Sequence, residues 1–406
     1  QILASHRTVL KSGVNQATGE KYLNRLSAIG VAAELAPQSV SAGSAARESA
    51  GSDYQASSAM ASGAPPFTAS GPAAAEGADG VPRAVPFVFT GNGFEYFKIW
   101  IVNILLSIIT LGIYSAWAKV RNKRYFYGNT YLDDVSFSYT ADPIKILIGR
   151  IIATVFFVIY IVAGEVSIIA GLVMGILFLI FLPWAICKSL RFNAHYSQYR
   201  NVPFRFVGRT GQAAMAFLLW PFLGIITLGL LMPWAYYEQK KFIYDHHGYG
   251  TTDFDFLATV GGYYKIFLIS LAILIVGFGA VFALGMLLGP TVGIFLSMVP
   301  YLLVVAYAIV AVTNLNYNNI VLSEHRLTAN WKLGPYIWLM FTNTLGIIIT
   351  LGLFIPWAKV RTAHFKARFT GTILVGDIEA FADAERDAVS SLAEGVGDLF
   401  DIDVGL

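Results

Sequence analysis

The sequence predicts an α-helical polytopic membrane protein with internal repeats, short β-strands between its membrane helices, and a small α/β segment at its N-terminal end. Three observations lead to this prediction. Only 13% of the 406 residues are charged, about half the share in an ordinary soluble domain. Two long stretches carry almost no charge, and one short motif recurs along the chain.

The uncharged stretches predict the membrane helices. Residues 266–323, 58 in all, carry no charge, and residues 151–187 carry only Glu165. A helix of about 20 apolar residues spans a bilayer, so each stretch can hold two crossings. The expected turning points are Gly164-Glu165 and Gly289-Pro290.

Three further apolar runs, 99–118, 210–237 and 333–358, are each long enough for one crossing. They share the motif TLG-x3-(A/P)-WA, which begins at Thr110, Thr227 and Thr350. The tryptophans of the motif are 117 and then 123 residues apart, and such a recurrence predicts an internal duplication. The middle copy differs, because it has Tyr236-Tyr237-Glu238 where the other two have Lys-Val-Arg.

Short aromatic alternations flank the apolar segments. They are Phe87-Val88-Phe89, Phe137-Ser138-Tyr139, Phe204-Arg205-Phe206 and Phe254-Asp255-Phe256. Because alternation with a period of two is typical of β-strands, we expect small strands or β-hairpins between the membrane helices, at the water boundary.

Two topologies are consistent with these runs. If all seven cross, Lys and Arg divide unevenly between the two faces, as membrane proteins require, and the chain ends lie on opposite sides. In the alternative, the three TLG runs are re-entrant hairpins bent at Gly112, Gly229 and Gly352, and every aromatic strand is cytoplasmic. Pro233 and Pro356 favour a bend, since each removes one helical hydrogen bond. Both alternatives place the C-terminus in the cytoplasm.

Composition divides the chain into four segments. Residues 1–37 have the strand and helix patterns of a small soluble α/β segment, and residues 38–84, rich in Ala, Ser, Gly and Pro, are expected to be a disordered linker. Residues 85–376 form the predicted membrane domain. Residues 377–406 form an acidic tail, part of which is expected to be an amphipathic helix.

Five polar residues of the apolar segments are candidates for a substrate path. They are Asn103, Asn343, Glu165, Asn193 and Asn314. Polar side chains inside a membrane mark substrate or proton paths, or else they hydrogen-bond a neighbouring helix. For Glu165, the alternative is a turn residue at the interface.

A second group combines the motif tryptophans with neighbouring basic residues. Its members are Trp117, Lys119, Arg121, Trp234, Trp357, Lys359 and Arg361. This combination suits a lipid-headgroup site with the arginines on phosphate. The alternative interpretation is ordinary anchoring at the membrane interface.

No residue pattern indicates catalysis, a cofactor or a metal centre. The adjacent His246 and His247 point to opposite faces of an extended chain, and the single Cys187 excludes an intramolecular disulfide. The net charge of +3 is too small to indicate nucleic-acid binding.

We therefore expect a protein that is not an enzyme and whose partners are membrane lipids, with a protein partner conceivable at either soluble end. Permeation or transport of a small solute or lipid is the favoured function, and a membrane scaffold or regulator is the alternative.

Several of these residues also resemble a known family. Phe89-Thr90-Gly91, the segment 110–114, Trp117-Ala118-Lys119-Val120-Arg121 and the segment 127–130 closely resemble the YjgN family of bacterial inner-membrane proteins, as do segments 190–193 and 400–403. The resemblance extends from about Phe87 to Leu406. The segment before the linker is similar to small soluble domains appended to some members. Because the function of the family is unknown, the resemblance implies an inner-membrane, multi-pass architecture and no reaction.

Overall fold

The structure is a computed structural model that describes residues 81–401, with side chains placed through Ser391. The α/β segment predicted at residues 1–37 lies outside the described residues. So do residues 38–80 of the predicted linker. The first strand begins at Arg83, two residues before the predicted start of the membrane domain.

Strands alternate with helical hairpins along the described chain. The elements are β1 (Arg83–Phe89), α1 (Gly93–Ile109), α2 (Ser115–Gly128), β2 (Thr130–Leu132), β3 (Val135–Tyr139), α3 (Pro143–Val166), α4 (Ile168–His195), β4 (Ser197–Tyr199), β5 (Val202–Phe206), α5 (Thr210–Ile226), α6 (Met232–Asp245), β6 (His247–Tyr249), β7 (Thr252–Phe256), α7 (Val260–Leu288), α8 (Pro290–Tyr317), β8 (Ile320–Leu322), β9 (His325–Ala329), α9 (Leu333–Ile349), α10 (Ile355–Arg368), β10 (Thr370–Leu374) and α11 (Ile378–Asp401). Helix α5 contains a π-helical turn at Met215–Leu219, and α8 is interrupted at Ser297.

The ten strands form one closed antiparallel barrel, in the order β1-β10-β9-β8-β7-β6-β5-β4-β3-β2. The first and last strands complete the circle, with Arg83 opposite Leu374. The predicted fold class, in which short strands lie separately between membrane helices, is therefore wrong. The physical reason is that a separate hairpin leaves two unpaired edges, whereas closure pairs every edge.

Two-residue turns join the strand pairs at one end of the barrel. In the β2–β3 turn, Asp133 and Asp134 have φ values of 49° and 57°, and in the β4–β5 turn Arg200 and Asn201 have 48° and 63°. Positive φ at both positions is the geometry that fits the twist of a tight hairpin. Since the turns occupy one end, the chain enters and leaves every helical hairpin at the other end.

This arrangement is incompatible with one of the two predicted topologies. Strands that hydrogen-bond within one barrel cannot lie on opposite sides of a bilayer. The seven-crossing alternative requires such a separation, and it is incompatible with the structure. The alternative with re-entrant TLG hairpins places all strands on one side, as the closed barrel does.

Two of the helical hairpins, α3–α4 and α7–α8, are long. Their four helices have 24, 28, 29 and 28 residues and are long and apolar enough to cross a membrane. Their large apolar side chains are mostly exposed, as expected for surfaces whose solvent is hydrocarbon. The observed turns, at Ser167 and Gly289, lie within two residues of the predicted positions.

The three TLG hairpins are short, and the motif itself ends each first arm. In the first hairpin Thr110 ends α1, and Leu111 and Gly112 follow with φ values of 48° and 91°. The Gly112 amide donates to the Ser107 carbonyl at 2.7 Å, and the amide of Tyr114 donates to Thr110 Oγ1 at 2.9 Å. The motif is thus a glycine-terminated helix end followed immediately by a second helix.

The other two motifs have the same bend. Leu228 and Leu351 have φ values of 52° and 50°, and Gly229 and Gly352 have 92° and 94°. Helices α1 and α9 have 17 residues each, so they rise about 26 Å, less than the roughly 30 Å of a bilayer core. These two arms are therefore shorter than the helices of the two long hairpins, which have 24 to 29 residues.

The acidic tail forms helix α11, as predicted for part of it, and the helix lies across the turn end of the barrel. Ile378 and Ala382 are buried in one apolar cluster with Leu132, Tyr199 and Val202 of the barrel. The helix therefore closes that end of the barrel.

Gly112 tests the role of the bend. Replacing it with alanine should cost about 1–2 kcal/mol, because the left-handed conformation brings Cβ close to the following carbonyl. No neighbouring atom lies within 4 Å of the added Cβ, so the cost comes from the backbone alone. Thermal unfolding in detergent should show a lower midpoint for Gly112→Ala than for Gly334→Ala, a helical glycine with equal space. Equal midpoints would contradict the bend geometry.

Cysteine labelling tests the single-sided barrel. In a Cys187→Ala background, cysteines at the exposed positions of Asp134, Asp255 and Asp383 should react from the same side of the membrane. A cysteine replacing Glu165, at the far tip of the α3–α4 hairpin, should react from the other side. Labelling of the Asp134 and Asp255 positions from opposite sides would rule out the barrel.

Candidate functional site

A cavity of about 1360 Å³ extends from the barrel interior into the helical layer. In the barrel, it is lined by inward-facing residues of the strands. Beyond the barrel, its walls come mainly from α2, α9 and α10, which belong to the first and third TLG hairpins. No residue of α5 or α6, the arms of the middle hairpin, lines it.

Aromatic rings form much of the barrel part of the cavity. The first residue of each aromatic alternation lines it; these residues are Phe87, Phe137, Phe204 and Phe254. The second aromatic of each alternation is buried nearer the helices; these residues are Phe89, Tyr139, Phe206 and Phe256. Residues i and i+2 of a strand share one face, so each alternation contributes to two levels of the interior.

Two tyrosines complete the aromatic lining. Tyr199 lies 4.8 Å from Phe137 and Tyr249 lies 5.4 Å from Phe204, measured between ring centroids. The Tyr199 hydroxyl donates to the carbonyl of Leu132, and the Tyr249 hydroxyl donates to the carbonyl of Tyr199. Because both hydroxyls are used within the wall, this part of the cavity offers a contained molecule mainly ring faces and apolar edges.

Three lysines line the cavity: Lys123, Lys359 and Lys366. The Lys123 ammonium donates to Asn193 Oδ1 at 2.6 Å and lies 4.4 Å from the centroid of the Tyr139 ring. Burial, and then the charge of Lys119, lower the pKa of Lys123 to about 8. Among the described cavity-lining residues there is no Asp or Glu, and within residues 81–391 none of the three lysines forms an ion pair.

Two histidines also line the cavity. His247 Nδ1 donates to the carbonyl of Ile243, and His325 Nδ1 accepts from the amide of Val375 at 3.2 Å. Burial lowers the pKa of both imidazoles. Burial thus favours the neutral form of both imidazoles, whereas the three lysines supply positive charge to the cavity.

The structure separates the five predicted polar residues. Asn343 and Asn193 line the cavity. Asn103, only 3% exposed, instead donates to Asn122 Oδ1 at 3.2 Å, which links the two arms of the first hairpin. Asn314 exchanges two hydrogen bonds with the backbone of Trp331 and holds α8 to the segment after β9.

Glu165, the fifth of these residues, is exposed next to the turn of the α3–α4 hairpin. Helix α3 has 24 residues, so this carboxylate lies about 33 Å from the barrel end of the helix. It does not line the cavity.

The motif arginines connect hairpin arms. Arg361 donates to Asn343 Oδ1 and to Thr342 Oγ1, both at 2.9 Å. Arg121 donates to the Tyr114 hydroxyl at 3.0 Å and to Asn103 Oδ1 at 3.4 Å. In both hairpins an asparagine of the first arm thus pairs with an arginine 18 residues later in the second.

The middle hairpin lacks this pair. Trp220 and Glu238 stand at the positions of the asparagine and the arginine. Its arms pack instead through Trp220 and Trp234, whose ring centroids are 5.7 Å apart. The different sequence of this copy therefore corresponds to a hairpin that does not line the cavity.

The other members of the predicted headgroup set have different surroundings. Trp117 stacks on Tyr114, and Trp357 stacks on Phe97 with 5.0 Å between centroids. Lys119 is exposed outside the cavity, whereas Lys359 lines it. Contact with lipid headgroups remains a prediction for this set.

Sequence reasoning missed several residues of the cavity. They include Lys123, Lys366, Asn122, Tyr199, Tyr249, His247 and His325. A usable signal was present for Tyr199 and Tyr249, since both lie just before a turn that leads into an aromatic alternation. The lysines gave no signal, because helical spacing alone does not show which face meets a cavity.

Helix α11 closes the cavity at the turn end, with Ile378 and Phe381 in its lining. Glu385, 6% exposed, accepts hydrogen bonds from the Thr251 amide, the Thr251 hydroxyl and the Thr252 hydroxyl. Burial alone would raise the pKa of Glu385, but these hydrogen bonds outweigh it and hold the pKa below its ordinary value. The carboxylate thus fastens the helix to the β6–β7 turn.

Replacement of Glu385 tests this attachment. Loss of hydrogen bonds to a charged carboxylate should cost roughly 2 kcal/mol, which raises the undocked population of α11 about thirtyfold. Amide hydrogen exchange along α11 should therefore be much faster in Glu385→Ala than in wild type. Asp387→Ala, at an exposed position of the same helix, should leave the exchange rate unchanged. Equal exchange in both variants would show that Glu385 does not hold the helix.

Comparison of the sequence with known proteins identifies a family. A family model described as a bacterial protein of unknown function (DUF898) matches residues 84–399. Inner membrane protein YjgN of Escherichia coli strain K12 is 35% identical over 122 residues, which are 30% of this chain and 30% of that protein. Inner membrane protein YjgN of Salmonella typhimurium strain LT2 is 38% identical over 125 residues, or 29% of this chain and 30% of that protein.

The aligned segment thus spans less than a third of these curated relatives. No solved structure matches the chain. The family model covers most of the chain, including the barrel strands, the three TLG hairpins and the four long apolar helices. The chain therefore belongs to the bacterial family of unknown function DUF898, whose relatives compared above are named inner membrane proteins.

Proposed function

We propose that the protein lies in the bacterial inner membrane and passes a small solute or a lipid through the cavity of its barrel, without a chemical reaction. The observation that carries this proposal is the continuity of the cavity. It extends from Tyr199 and Tyr249 inside the barrel to Asn343, Thr344 and Ile347 on a membrane arm.

The size and lining of the cavity support the proposal. Protein cores are close-packed, whereas small-molecule sites typically have about 300–1000 Å³. The 1360 Å³ of this cavity exceeds that range, which suits a ligand at least as large as a typical metabolite. Among the described residues, no cluster of three or more His, Cys, Asp or Glu suits a metal ion. Passage of a molecule requires no such cluster.

The topology that accompanies this function has four crossings, with the barrel in the cytoplasm. Neither the TLG bends nor the tips of the two long hairpins carry Lys or Arg, so the basic residues lie toward the barrel. Because Lys and Arg concentrate on the cytoplasmic side, the barrel side and the C-terminal helix are cytoplasmic. The common bend of the three TLG hairpins supports their origin by internal duplication.

A scaffold function is less well supported. The first half of the acidic tail packs against the protein's own barrel through Ile378, Ala382 and Glu385. That half is unavailable to a partner while the helix is docked. We therefore interpret the tail as a closure of the cavity.

Blocking the cavity tests the proposal. Thr344 is an exposed residue of α9 that faces the cavity, and its neighbour Leu345 is exposed outside it. Thr344→Trp should fill the path, whereas Leu345→Trp adds the same bulk elsewhere. Mass spectrometry of molecules extracted from the purified full chain should show a ligand that wild type and Leu345→Trp retain and Thr344→Trp loses. Identical extracts from all three proteins would contradict a ligand-binding cavity.

Movement of that ligand tests passage separately from binding. Vesicles that contain the wild-type protein and are loaded with the recovered ligand should release it faster than vesicles that contain Thr344→Trp. Equal release rates would contradict permeation and would leave only a binding function.

A further inference from the structure

We propose that the ligand of this cavity is an anionic amphiphile, with a phosphate or carboxylate group held by Lys123, Lys359 and Lys366 and an apolar tail inside the aromatic barrel. The inference rests on the proposed function and names the class of molecule that the site takes. The anionic group could belong to a membrane lipid or to a free fatty acid, because both present the same chemistry.

The charge of the cavity carries the first step. Three lysines line one partly open cavity, and no carboxylate among its described lining residues balances them. Lys359 and Lys366 are exposed, whereas Lys123 is half-buried, and taking a charged group out of water is costly unless an opposite charge or hydrogen bonds compensate. Within the described residues, the ammonium of Lys123 contacts the neutral oxygen of Asn193 and the Tyr139 ring. A bound anion would supply the missing negative charge.

The positions of the lysines on two walls of the cavity also support an anionic ligand. Lys359 and Lys366 are seven residues apart on α10, two helical turns along one face, which corresponds to about 10 Å. Lys123 is on α2, on another wall of the same cavity. Lysines on two walls of the same cavity are therefore available to an anionic group bound there.

The aromatic lining of the barrel supports an apolar tail on the ligand. A tail that remained in the bilayer would need no enclosed apolar chamber. The barrel provides one, with Phe137, Phe204 and Phe254 in its wall and Phe381 of α11 closing its end. Small inorganic anions would use the lysines and leave these rings without a partner. A neutral lipid would use the rings and leave the lysines unpaired.

A displacement assay tests the ligand class. The probe is 11-(dansylamino)undecanoic acid, a fluorescent fatty acid, bound to the delipidated full chain in neutral detergent. Dodecanoate and dioleoyl phosphatidic acid should displace it, whereas dodecanol and inorganic phosphate should not. Decanoate should be roughly fifteenfold weaker than dodecanoate, because two fewer methylenes are buried. Comparison of the fatty acid with phosphatidic acid shows which source of the anionic group binds more tightly.

Lysine variants provide the matched controls. Lys123→Gln, Lys359→Gln and Lys366→Gln should each weaken probe binding about tenfold or more, since each removes a charged hydrogen-bond donor. Lys240 occupies the position of Lys123 in the middle repeat and does not line the cavity. Lys240→Gln should bind the probe like wild type, and detergent without protein measures the contribution of the micelles.

The outcomes separate this inference from the proposed function. Equal displacement by dodecanol and dodecanoate, with unchanged binding by the lysine variants, would overturn the anionic class and leave uptake of a neutral molecule. Displacement by inorganic phosphate would overturn the amphiphile. No binding of the probe by wild type would overturn the inference as a whole, and the extraction experiment with Thr344→Trp would then decide whether the cavity takes another molecule.

Discussion

Closure of ten short strands into one barrel is the constraint on which the rest of this structure depends. Each strand has only three to seven residues and cannot be stable alone. Pairing of β1 with β10 joins segments almost 300 residues apart and removes the last free edges. Because the tight turns all lie at one end, every helical hairpin must leave from the other. The one-sided arrangement of the chain and the continuous cavity both follow from this closure.

The helical hairpins satisfy that constraint in two ways. Those that carry four long apolar helices end in turns far from the barrel, while the TLG hairpins reverse after 17 residues at a left-handed Leu-Gly pair. In the first and third hairpins, an asparagine-arginine pair joins the arms beside the cavity. In the middle hairpin, two tryptophans pack together away from it. The same backbone bend thus occurs in hairpins whose arms are joined by different side-chain contacts.

Local features of the fold could be predicted from the sequence, and its closure could not. The uncharged stretches predicted the four long helices, the period-two aromatics predicted the strands, and the glycines predicted the bends. Each of these signals lies within one continuous stretch of the sequence, the longest of which has 58 residues. Strand pairing in the barrel joins residues separated by whole helical hairpins, such as Phe137 and Tyr199, and no local pattern records such partners.

The cavity could be predicted only in part, for the same reason. Asn343 and Lys359 were found because they belong to a repeated motif, whereas Lys123 and Lys366 were missed because only the tertiary fold directs them to one space. Glu165 is the only charged residue of its apolar stretch, a pattern that is typical of a buried functional charge. In the structure, however, it lies beside a turn at the far tip of a hairpin. Position along the membrane normal, which the sequence leaves open, distinguishes these cases.

Cross-linking of the first strand to the last tests the closed barrel most directly. Ala84 and Ile373 are register partners, and partners in antiparallel strands have Cα atoms about 4.5–5.5 Å apart, within the range of a disulfide. In full-length protein lacking Cys187, an Ala84→Cys, Ile373→Cys pair should form an intramolecular disulfide on mild oxidation. The Ala84→Cys, Arg326→Cys pair, which lies one strand further round the barrel, should not. Failure of the first pair, or equal cross-linking of both, would contradict the closure.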